Sequence, residues 1–264
     1  GKVDMVVYSL AAPKRVAADG TVYSSVLKTT GEAYTNKTID LKNRTVSDVT
    51  IEPATEEEIE HTVKVMGGED WRDWIDALRE ADAIEEDAMT IAYSYIGPEL
   101  THPMYFDGSI GRAKAHLART AEEISAECGG IHAYISVNKA LVTQSSAAIP
   151  IVPLYISILY KVMKAHGNHE GCIEQMYRLF HDKLYGVAVR TDESGMVRMD
   201  DWEMEPEIQA EVSALWENIS TENLTECADI DGYWHDFYRL FGFEAAGVDY
   251  DADEDVIRSI EGVE

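Results

Sequence analysis

The sequence predicts an α/β fold in which a mostly parallel β-sheet is flanked by helices. β-prone segments at residues 3–8, 89–96 and 131–137 alternate with amphipathic segments of ten or more residues. This alternation is typical of parallel strands joined by helical connections. The chain has 264 residues, of which 45% are hydrophobic, enough to fill a buried core. A wholly disordered chain is therefore excluded.

The first segment, residues 3–8, is predicted to be a buried strand, because Val and Tyr dominate it and a small-residue loop with Pro13 follows. Residues 19–54 are rich in Thr, Gly, Asn and Asp and contain short β-prone stretches such as 47–51. That composition favours a hairpin-like excursion before the first helix.

Two helices are predicted next. Thr55 and Glu58 have the spacing of a capping box, and the helix that they begin is expected to end at Gly67. A second helix begins near Glu69 and places Trp71 and Trp74 on one face. These tryptophans could line a lipophilic cleft, but a stripe at helical spacing is more often part of the core, and we expect the core.

The second half continues the same alternation. Ser109 is predicted to cap a helix whose inward residues are Ile110, Ala113, Leu117, Ala121 and Ile124. A largely buried helix is expected at residues 150–165, and further amphipathic helices at 169–185 and 206–218. We divide the chain into a domain of residues 1–248 and an acidic C-terminal segment, 249–264, that is a solvated tail or a terminal helix.

The charge of the chain excludes several functions. Its 22 Lys and Arg against 49 Asp and Glu give a net charge of −27. Such a surface repels nucleic acid and anionic lipid, and it favours a salt-rich cytoplasm in which dense salt screens the self-repulsion. The sequence therefore predicts a halophilic protein that binds neither nucleic acid nor membranes.

The compartment is predicted to be a reducing cytoplasm. The three cysteines lie far apart without a Cys-x-x-Cys pair, which favours neither disulfides nor a thiolate metal site. The most apolar run, residues 149–163, is too short to span a bilayer and contains two prolines. The first 15 residues lack the pattern of a signal peptide.

Candidate catalytic residues follow the second strand of the predicted sheet. Ligands of α/β sheets bind at the carboxyl ends of the strands, and Tyr95, Tyr105 and Lys114 come after such an end. A nearby ammonium favours the phenolate form of a tyrosine and eases proton transfer, and its three donors can also bind ribose hydroxyls. Fourteen tyrosines make a chance Tyr/Lys pair common, but the loop between Pro103 and Gly108 presents its side chains rather than burying them.

Five segments of the sequence resemble those of one enzyme family. The most specific is residues 93–114, which contain YSYIGPELT and PMYFDGSIGRAK. The others, in chain order, are residues 1–13 (GKVDMVVYSLAAP), 63–71 (VKVMGGEDW), 142–150 (VTQSSAAIP) and 169–175 (HEGCIEQ). Over nearly the whole chain, they resemble the trans-2-enoyl-CoA reductase family, which includes the type V enoyl-acyl-carrier-protein reductases.

The resemblance implies a Rossmann-like fold and the NADH-dependent reduction of the trans-2 double bond of an enoyl-CoA or enoyl-acyl-carrier-protein in fatty acid synthesis. It implies that Tyr105 is the proton donor or enolate stabiliser, that Lys114 binds the nicotinamide ribose and that Tyr95 contacts the thioester carbonyl. Tyr105 and Lys114 keep the family's eight intervening residues, unlike the three of ordinary short-chain dehydrogenases, which favours an enoyl reductase over a ketone or alcohol dehydrogenase. The other cofactor contacts that it implies are Ser9, Leu10, Leu141, Val142 and Thr143.

The sequence departs from the family at its N-terminal side. It contains no Gly-x-Gly-x-x-Gly, the turn that binds a dinucleotide pyrophosphate in complete members. We therefore expect a sheet without its N-terminal strands, in a chain that is either a piece of a longer protein or half of a split protein whose partner chain supplies them. The alternative is an inactive fragment, or a subunit that binds acyl thioesters and requires a partner.

No metal site is expected. His166, His169 and Glu170 are close in sequence, but no fourth ligand accompanies them, and helix capping and solvent exposure explain them better.

Overall fold

The structure is a computed structural model that describes residues 1–264 except 11, 186–187, 254, 256, 258 and 260–264. In chain order the strands are β1 (Val3–Tyr8), β2 (Lys14–Val16), β3 (Val22–Ser24), β4 (Tyr34–Asp40), β5 (Thr45–Ile51), β6 (Ile84–Ser94), β7 (His132–Val137) and β8 (Val197–Arg198). The helices are α1 (Glu56–Met66), α2 (Glu69–Glu80), α3 (Ser109–Glu127), α4 (Gln144–Ala147), α5 (Val152–His166), α6 (Cys172–Arg178), α7 (Pro206–Asn218), α8 (Leu224–Cys227) and α9 (Ile230–Arg239).

A parallel sheet of order β1-β6-β7-β8 forms the centre of the molecule, as the alternation of elements predicts. Its long strand β6 is buried on both faces: Ala88 and Ala92 pack under α2 and α3, whereas Ile91 packs on the opposite side with Leu179 and Val197. Burial on both faces is the usual condition of a parallel strand. Strand β8 is only two residues long, which left no pattern to predict it from.

β1 differs from its prediction as a buried strand. Within the part of the chain that the structure describes, it pairs with β6 alone and forms an edge of the sheet. Val3 is 42% exposed and Val7 is 40% exposed. An edge strand with unpaired backbone groups and exposed apolar side chains can accept a further strand.

The hairpin β4–β5 confirms the expected excursion within residues 19–54, whereas a second antiparallel hairpin, β2–β3, begins before that range. The hairpin β4–β5 packs on α5 in a separate core that also contains α7 and α9. Helix α5 is buried along its first nine residues, as predicted, although it begins at Val152 rather than at residue 150.

The first two helices follow their sequence signals, with one exception. The capping box of Thr55 and Glu58 is formed, and α1 ends at Gly67. Trp71 is fully buried and its indole N–H donates to the Thr90 hydroxyl at 2.9 Å. Trp74 is 58% exposed, so the prediction that it lies in the core is wrong. The buried face of α2 includes Trp71 but not Trp74, so it is narrower than the spacing of the tryptophans indicated.

All five inward residues predicted for α3 are buried. Ser109, however, is not the N-cap, which is Gly108. The Ser109 hydroxyl instead accepts a hydrogen bond from the Lys28 amide at 3.2 Å and donates to the Val26 carbonyl at 2.6 Å. It therefore ties the segment after β3 to the start of α3.

The C-terminal elements agree in part with prediction. Helix α7 has the predicted bounds, whereas the helix expected at 169–185 is split into α6 and a π-helical turn, Leu179–Leu184. Helix α9 was not predicted. Residues 249–253 are exposed and not helical, and much of the acidic segment 249–264 lies outside the described residues. Among the described helices, not one has the length and apolarity needed to cross a membrane.

Candidate active site

A cavity of about 530 Å³ opens where β1, β6 and β7 end. The carboxyl ends of three adjacent parallel strands meet there, which is where ligands of α/β sheets bind. Its volume falls within the roughly 300–1,000 Å³ of small-molecule sites. It is lined by seven of the eight residues expected to act in the site, namely Ser9, Leu10, Tyr95, Tyr105, Lys114, Leu141 and Thr143.

Tyr95 and Tyr105 lie in contact on one side of this cavity. Their ring centroids are 5.1 Å apart and the rings meet edge to face at 78°. Tyr95 stands directly after β6, and Tyr105 follows a short 3₁₀ turn at Glu99–Thr101, where its amide donates to the Thr101 carbonyl at 2.9 Å. Two phenols that face one cavity from neighbouring segments can both reach a single ligand oxygen.

Lys114 reaches the same cavity from the second turn of α3. Its ammonium donates to the Tyr93 carbonyl at 3.1 Å, and the Tyr105 hydroxyl is not among its hydrogen-bond partners in the described residues. Burial lowers the pKa of Lys114 to about 8, because desolvation disfavours the charged amine. The amine is thus held at the cavity wall with donor capacity left over for a ligand.

The protonation of Tyr105 differs from the sequence interpretation. We expected the Lys114 ammonium to favour the phenolate, but burial instead raises the pKa of Tyr105 to about 12. Tyr105 is therefore a neutral phenol at physiological pH. A neutral phenol carries a proton to donate, as an enolate stabiliser requires.

Two glycines allow the Tyr105 loop to pack closely against α3. A Cβ on Gly111 would lie 1.8 Å from the Phe106 carbonyl oxygen, and one on Gly108 would lie 2.3 Å from the Met104 carbonyl oxygen. Both contacts are with backbone, which cannot move aside without displacing the loop. The glycines thus set the distance between Tyr105 and the helix that carries Lys114.

Gly111→Ala is expected to destabilise the fold by at least about 2 kcal/mol, which lowers the Tm by about 5 °C or more, because the methyl group overlaps the loop backbone. Thermal unfolding followed by circular dichroism measures the effect. Arg112→Ala, at the next and exposed helical position, is the control and should leave the Tm within about 1–2 °C of the wild type. Equal Tm values for the two variants would contradict the tight contact.

The cofactor residues expected after β7 divide into two groups. Leu141 and Thr143 line the cavity, and the Thr143 hydroxyl accepts from the Ser146 amide as the N-cap of α4. Val142 does not line it: its side chain is buried, its amide donates to the Tyr160 hydroxyl at 3.2 Å and its carbonyl accepts from the Cys172 thiol. This arrangement therefore does not favour a backbone contact between Val142 and a cofactor.

The loop beyond these residues contains a strained position. Ile151, the N-cap of α5, is fully buried and has a φ of +73°. A β-branched residue in that region costs about 1–3 kcal/mol and persists only where packing holds it. The strain lies at the start of the helix whose Val152 and Ile156 line the apolar part of the cavity.

Sequence reasoning missed two charged residues of the site. Lys139 lines the cavity directly after β7, and burial lowers its pKa to about 8. Glu203 is fully buried in the turn before α7 and accepts hydrogen bonds from the Tyr95 hydroxyl at 3.2 Å and the Tyr155 hydroxyl at 2.7 Å. The strand-end position could have singled out Lys139, whereas no sequence pattern connects Glu203 with Tyr95.

The histidines considered as metal ligands have other contacts. His166 Nε2 lies 2.8 Å from a Glu211 carboxylate oxygen, and Glu170 is buried in an ion pair with Arg178 at 2.6 Å. His169 packs edge to face on the Tyr160 ring.

Comparison with known proteins identifies the family and the fold. A family model described as the trans-2-enoyl-CoA reductase catalytic region matches residues 1–185. The chain belongs to the trans-2-enoyl-CoA reductase family. A second model, described as the enoyl reductase FAD binding domain, matches residues 191–254. The expected family and α/β fold are thus confirmed, and the family is one of NADH-dependent oxidoreductases.

Two curated relatives of this family show how far the likeness extends. A trans-2-enoyl-CoA reductase [NADH] of Ruminiclostridium cellulolyticum is 53% identical over 266 residues, covering 100% of this chain and 67% of the relative. An enoyl-[acyl-carrier-protein] reductase [NADH] of Flavobacterium johnsoniae is 56% identical over 268 residues, again covering 100% of this chain and 67% of the relative.

Solved structures of the family agree with this chain. The Treponema denticola trans-2-enoyl-CoA reductase in complex with NAD superposes with a TM-score of 0.92 at 48% identity, covering 96% of this chain and 64% of that one. A Clostridium trans-2-enoyl-CoA reductase in complex with NADH gives 0.92 at 45% identity, covering 97% and 65%. The chain thus spans about two thirds of the length of its relatives.

The flavin in the name of the second family model does not fit the cavity found in that region. The cavity, beside the loop between α8 and α9, has a volume of about 250 Å³. This is below the roughly 300–1,000 Å³ of small-molecule sites. Most of its charged side chains are paired with one another, Lys164 with Asp229 at 2.6 Å and Arg44 with Asp231 at 2.5 Å, and the Lys161 ammonium donates to the Thr225 carbonyl at 3.4 Å. We therefore assign no step to a flavin.

Proposed function

We propose that this chain reduces the trans-2 double bond of enoyl thioesters with NADH. The observation that carries the proposal is that Tyr95, Tyr105 and Lys114 line one cavity at the carboxyl ends of parallel strands. A phenol pair and an amine in such a place can hold a carbonyl oxygen and a ribose side by side. The names of the relatives, which specify enoyl reduction and NADH, support the same chemistry.

The residues of the cavity fit the nicotinamide half of the cofactor. Lys114 has donors left for ribose hydroxyls, and Thr143 and Leu141 lie at the end of the neighbouring strand β7. Ser9 and Leu10 approach from the end of β1. NADH, when bound, supplies the hydride that adds to the β-carbon of the enoyl thioester.

The side chains then act on the charge that develops at the carbonyl oxygen. In this proposal the Tyr105 hydroxyl stabilises the enolate by donating a hydrogen bond, and the Tyr95 hydroxyl contacts the same oxygen, donating to it once its own hydrogen bond to Glu203 is released. Tyr105, a neutral phenol, gives its proton to the α-carbon of the enolate to complete the saturated product, and the phenolate that remains takes a proton from solvent. The apolar wall formed by Ile149, Val152 and Ile156 accepts the acyl chain and keeps water away from the enolate.

The adenosine half of NADH requires a further region. About a third of the length of each relative lies outside its match to this chain, and in the part of the chain that the structure describes no strand pairs with the outer edge of β1. We propose that parallel strands and a pyrophosphate-binding turn, in the same polypeptide or in a partner, add to this edge. The exposed Val3 and Val7 support the proposal, because a neighbouring strand would cover them.

The test is a titration of NADH into this chain, alone and with the complementary third of the Flavobacterium relative added as a separate polypeptide. Micromolar NADH binding together with NADH oxidation that depends on crotonyl-CoA supports reduction. Activity only in the mixture supports the open edge as the point of assembly. Binding of crotonyl-CoA without oxidation in either case would favour a subunit that holds acyl thioesters and does not reduce them.

The carrier of the acyl group is left open between coenzyme A and acyl-carrier protein, since relatives of both names are equally similar. A comparison of kcat/KM for crotonyl-CoA and for crotonyl-loaded acyl-carrier protein decides between them.

We also propose that the protein is adapted to high salt. At a net charge of −27, self-repulsion opposes folding until salt screens it, and the Debye length falls from about 30 Å at 0.01 M to about 3 Å at 1 M. The Tm is expected to rise by several degrees over this range of KCl. Differential scanning calorimetry measures it.

The matched control for the salt effect neutralises the adjacent and exposed carboxylates Glu85, Glu86 and Asp87. The triple variant Glu85→Gln, Glu86→Gln, Asp87→Asn should have a higher Tm than the wild type at low salt and a smaller rise with KCl. A Tm that falls or stays level as KCl increases would contradict the adaptation.

The proposed compartment is a reducing cytoplasm. Cys128, Cys172 and Cys227 are free thiols, and two of them are buried. Free, spaced cysteines are usual in reducing compartments and rare in oxidising ones.

A further inference from the structure

The hydroxyl of Tyr95 is hydrogen-bonded to a buried carboxyl group, that of Glu203. Glu203 Oε1 accepts from the hydroxyls of Tyr95 at 3.2 Å and Tyr155 at 2.7 Å. Glu203 Oε2 accepts from the Ala140 amide at 2.7 Å. Glu203 is fully buried and is not itself among the residues that line the cavity, whereas Tyr95 and Ala140, which bind it, are.

A phenol has one proton, which limits what Tyr95 can do. While the Tyr95 hydroxyl donates to the Glu203 carboxylate, it has only lone pairs to offer to the cavity. It then cannot donate to a thioester carbonyl oxygen, and its oxygen lone pairs repel the developing enolate. The contact expected between Tyr95 and the substrate therefore requires the hydrogen bond to Glu203 to be reversed.

A protonated Glu203 reverses that bond. Its Oε2 is occupied by the Ala140 amide, so the proton resides on Oε1. Of the two phenols at Oε1, Tyr155 already accepts from the Gln209 side-chain amide at 3.1 Å. The carboxyl proton is therefore directed to the Tyr95 oxygen, and the Tyr95 proton turns toward the cavity.

The surroundings of Glu203 shift its carboxyl group toward the protonated form. Burial raises its pKa, and the Asp200 carboxylate raises it further. The Tyr155 and Ala140 hydrogen bonds and the Lys139 ammonium oppose the shift without cancelling it. Burial also raises the pKa of Tyr95 and of Tyr155 well above 10, so neither phenol gives up its proton.

We propose that Glu203 is a positioning residue, whose protonation makes the Tyr95 hydroxyl a hydrogen-bond donor to the thioester carbonyl oxygen. This inference rests on the proposed function, in which Tyr95 faces that carbonyl. No proton is consumed: the carboxyl proton of Glu203 lies toward the Tyr95 oxygen, and the Tyr95 proton lies toward the substrate. When Glu203 is deprotonated, the Tyr95 hydroxyl donates to the carboxylate again and can only accept hydrogen bonds from the cavity. The affinity for the substrate then falls.

The test measures the affinity of the chain for crotonyl-CoA by calorimetry from mildly acidic to mildly alkaline pH. In the wild type, the affinity should fall about tenfold as Glu203 loses its proton, the size expected for loss of one hydrogen bond to the ligand. Glu203→Gln, whose amide mimics the protonated acid, should keep the tighter affinity throughout. Tyr95→Phe should bind at the weaker level at every pH, and a merely structural role of Glu203 would not produce this pattern.

Tyr155→Phe is the matched control, because Tyr155 binds the same carboxylate oxygen but does not line the cavity. Because Tyr155→Phe removes a hydrogen bond to the carboxylate, the midpoint of the fall in crotonyl-CoA affinity should move to higher pH. The affinity should still fall about tenfold. The inference would be overturned by any of three results. The midpoint of the affinity change could stay the same in Tyr155→Phe, the wild-type affinity could be independent of pH, or the wild type and Glu203→Gln could have equal pH profiles.

A second readout separates this inference from the proposed function. Infrared spectroscopy follows the carboxylic-acid C=O band that is lost in Glu203→Gln, and it needs no substrate. Tyr95→Phe should shift the pH at which that band disappears upward, since one donor to the carboxylate is removed. If crotonyl-CoA does not bind at any pH, the proposed function fails, whereas an unshifted or absent band refutes the role of Glu203 itself.

Discussion

Replacement of Tyr105 by phenylalanine is expected to lower kcat for crotonyl-CoA reduction by about 10²–10³-fold, the usual effect of removing one donor to a developing oxyanion. Tyr105 lines the cavity as a neutral phenol whose pKa is raised to about 12 by burial, so it has a proton to donate across the physiological range. The ring remains in Tyr105→Phe, and its edge-to-face contact with Tyr95 should keep the loop in place. The loss should therefore appear in kcat and not in the affinity for NADH.

The measurement is NADH oxidation followed by absorbance, in the preparation that reduces crotonyl-CoA, with the chain alone or in the mixture described above. Tyr134→Phe is the control, because Tyr134 stands on β7 and packs on the face of the sheet away from α3. It should keep the wild-type kcat. A kcat for Tyr105→Phe within about threefold of the wild type, less than 1 kcal/mol of transition-state energy, would remove Tyr105 from the reaction.

Lys114→Met is expected to weaken NADH binding by about 10–100-fold, the range for hydrogen bonds from a charged donor. Among the described residues, the Lys114 ammonium has one hydrogen-bond partner, the Tyr93 carbonyl, and it has donors left for ribose. With a pKa of about 8, the wild-type lysine loses its charge as the pH rises through 8, so NADH affinity should fall above that pH. The methionine variant should show no such step.

The stability of the protein without NADH should change in the opposite direction. The folded-state pKa of Lys114 lies below its unfolded value near 10.4, so the cost of burying the charged amine is present below about pH 8. That cost disappears as the pH rises between the two values. Lys114→Met removes it, and the Tm of this variant at neutral pH should exceed that of the wild type by a few degrees.

Calorimetric titration with NADH and thermal unfolding measure the two effects. Lys42→Met is the control, because it removes one exposed positive charge in the β4–β5 turn. It should leave the NADH affinity unchanged and should not raise the Tm. A Lys114→Met variant that binds NADH as the wild type does at neutral pH would show that the amine does not contact the cofactor.

Much of the fold was predictable from local signals. The capping box at Thr55 and the inward face of α3 are local patterns, and the structure confirms both. Trp74 was predicted wrongly because helical spacing places a side chain on a face but does not give the width of the element that covers it. Ser109 was predicted wrongly because a hydroxyl suited to capping is equally suited to bridging Val26 and Lys28.

The candidate site was predictable only in part. Tyr95, Tyr105 and Lys114 follow one strand and lie within twenty residues of one another, so a motif describes them. Glu203 lies 108 residues from Tyr95 and meets it only through the packing of the turn before α7. No periodicity or spacing carries that information.

The sequence by itself determined the family, the alternation of strands and helices, and seven of the residues that line the cavity, because each depends on residue type and spacing along the chain. The tertiary structure decided their protonation, because the pKa of a buried group depends on which atoms exclude water and which donate to it. In the folded protein, burial keeps Tyr105 a neutral phenol, β1 lies at an edge of the described sheet, and the Glu203 carboxyl group is hydrogen-bonded to Tyr95. Desolvation and long-range contact arise only when distant segments meet.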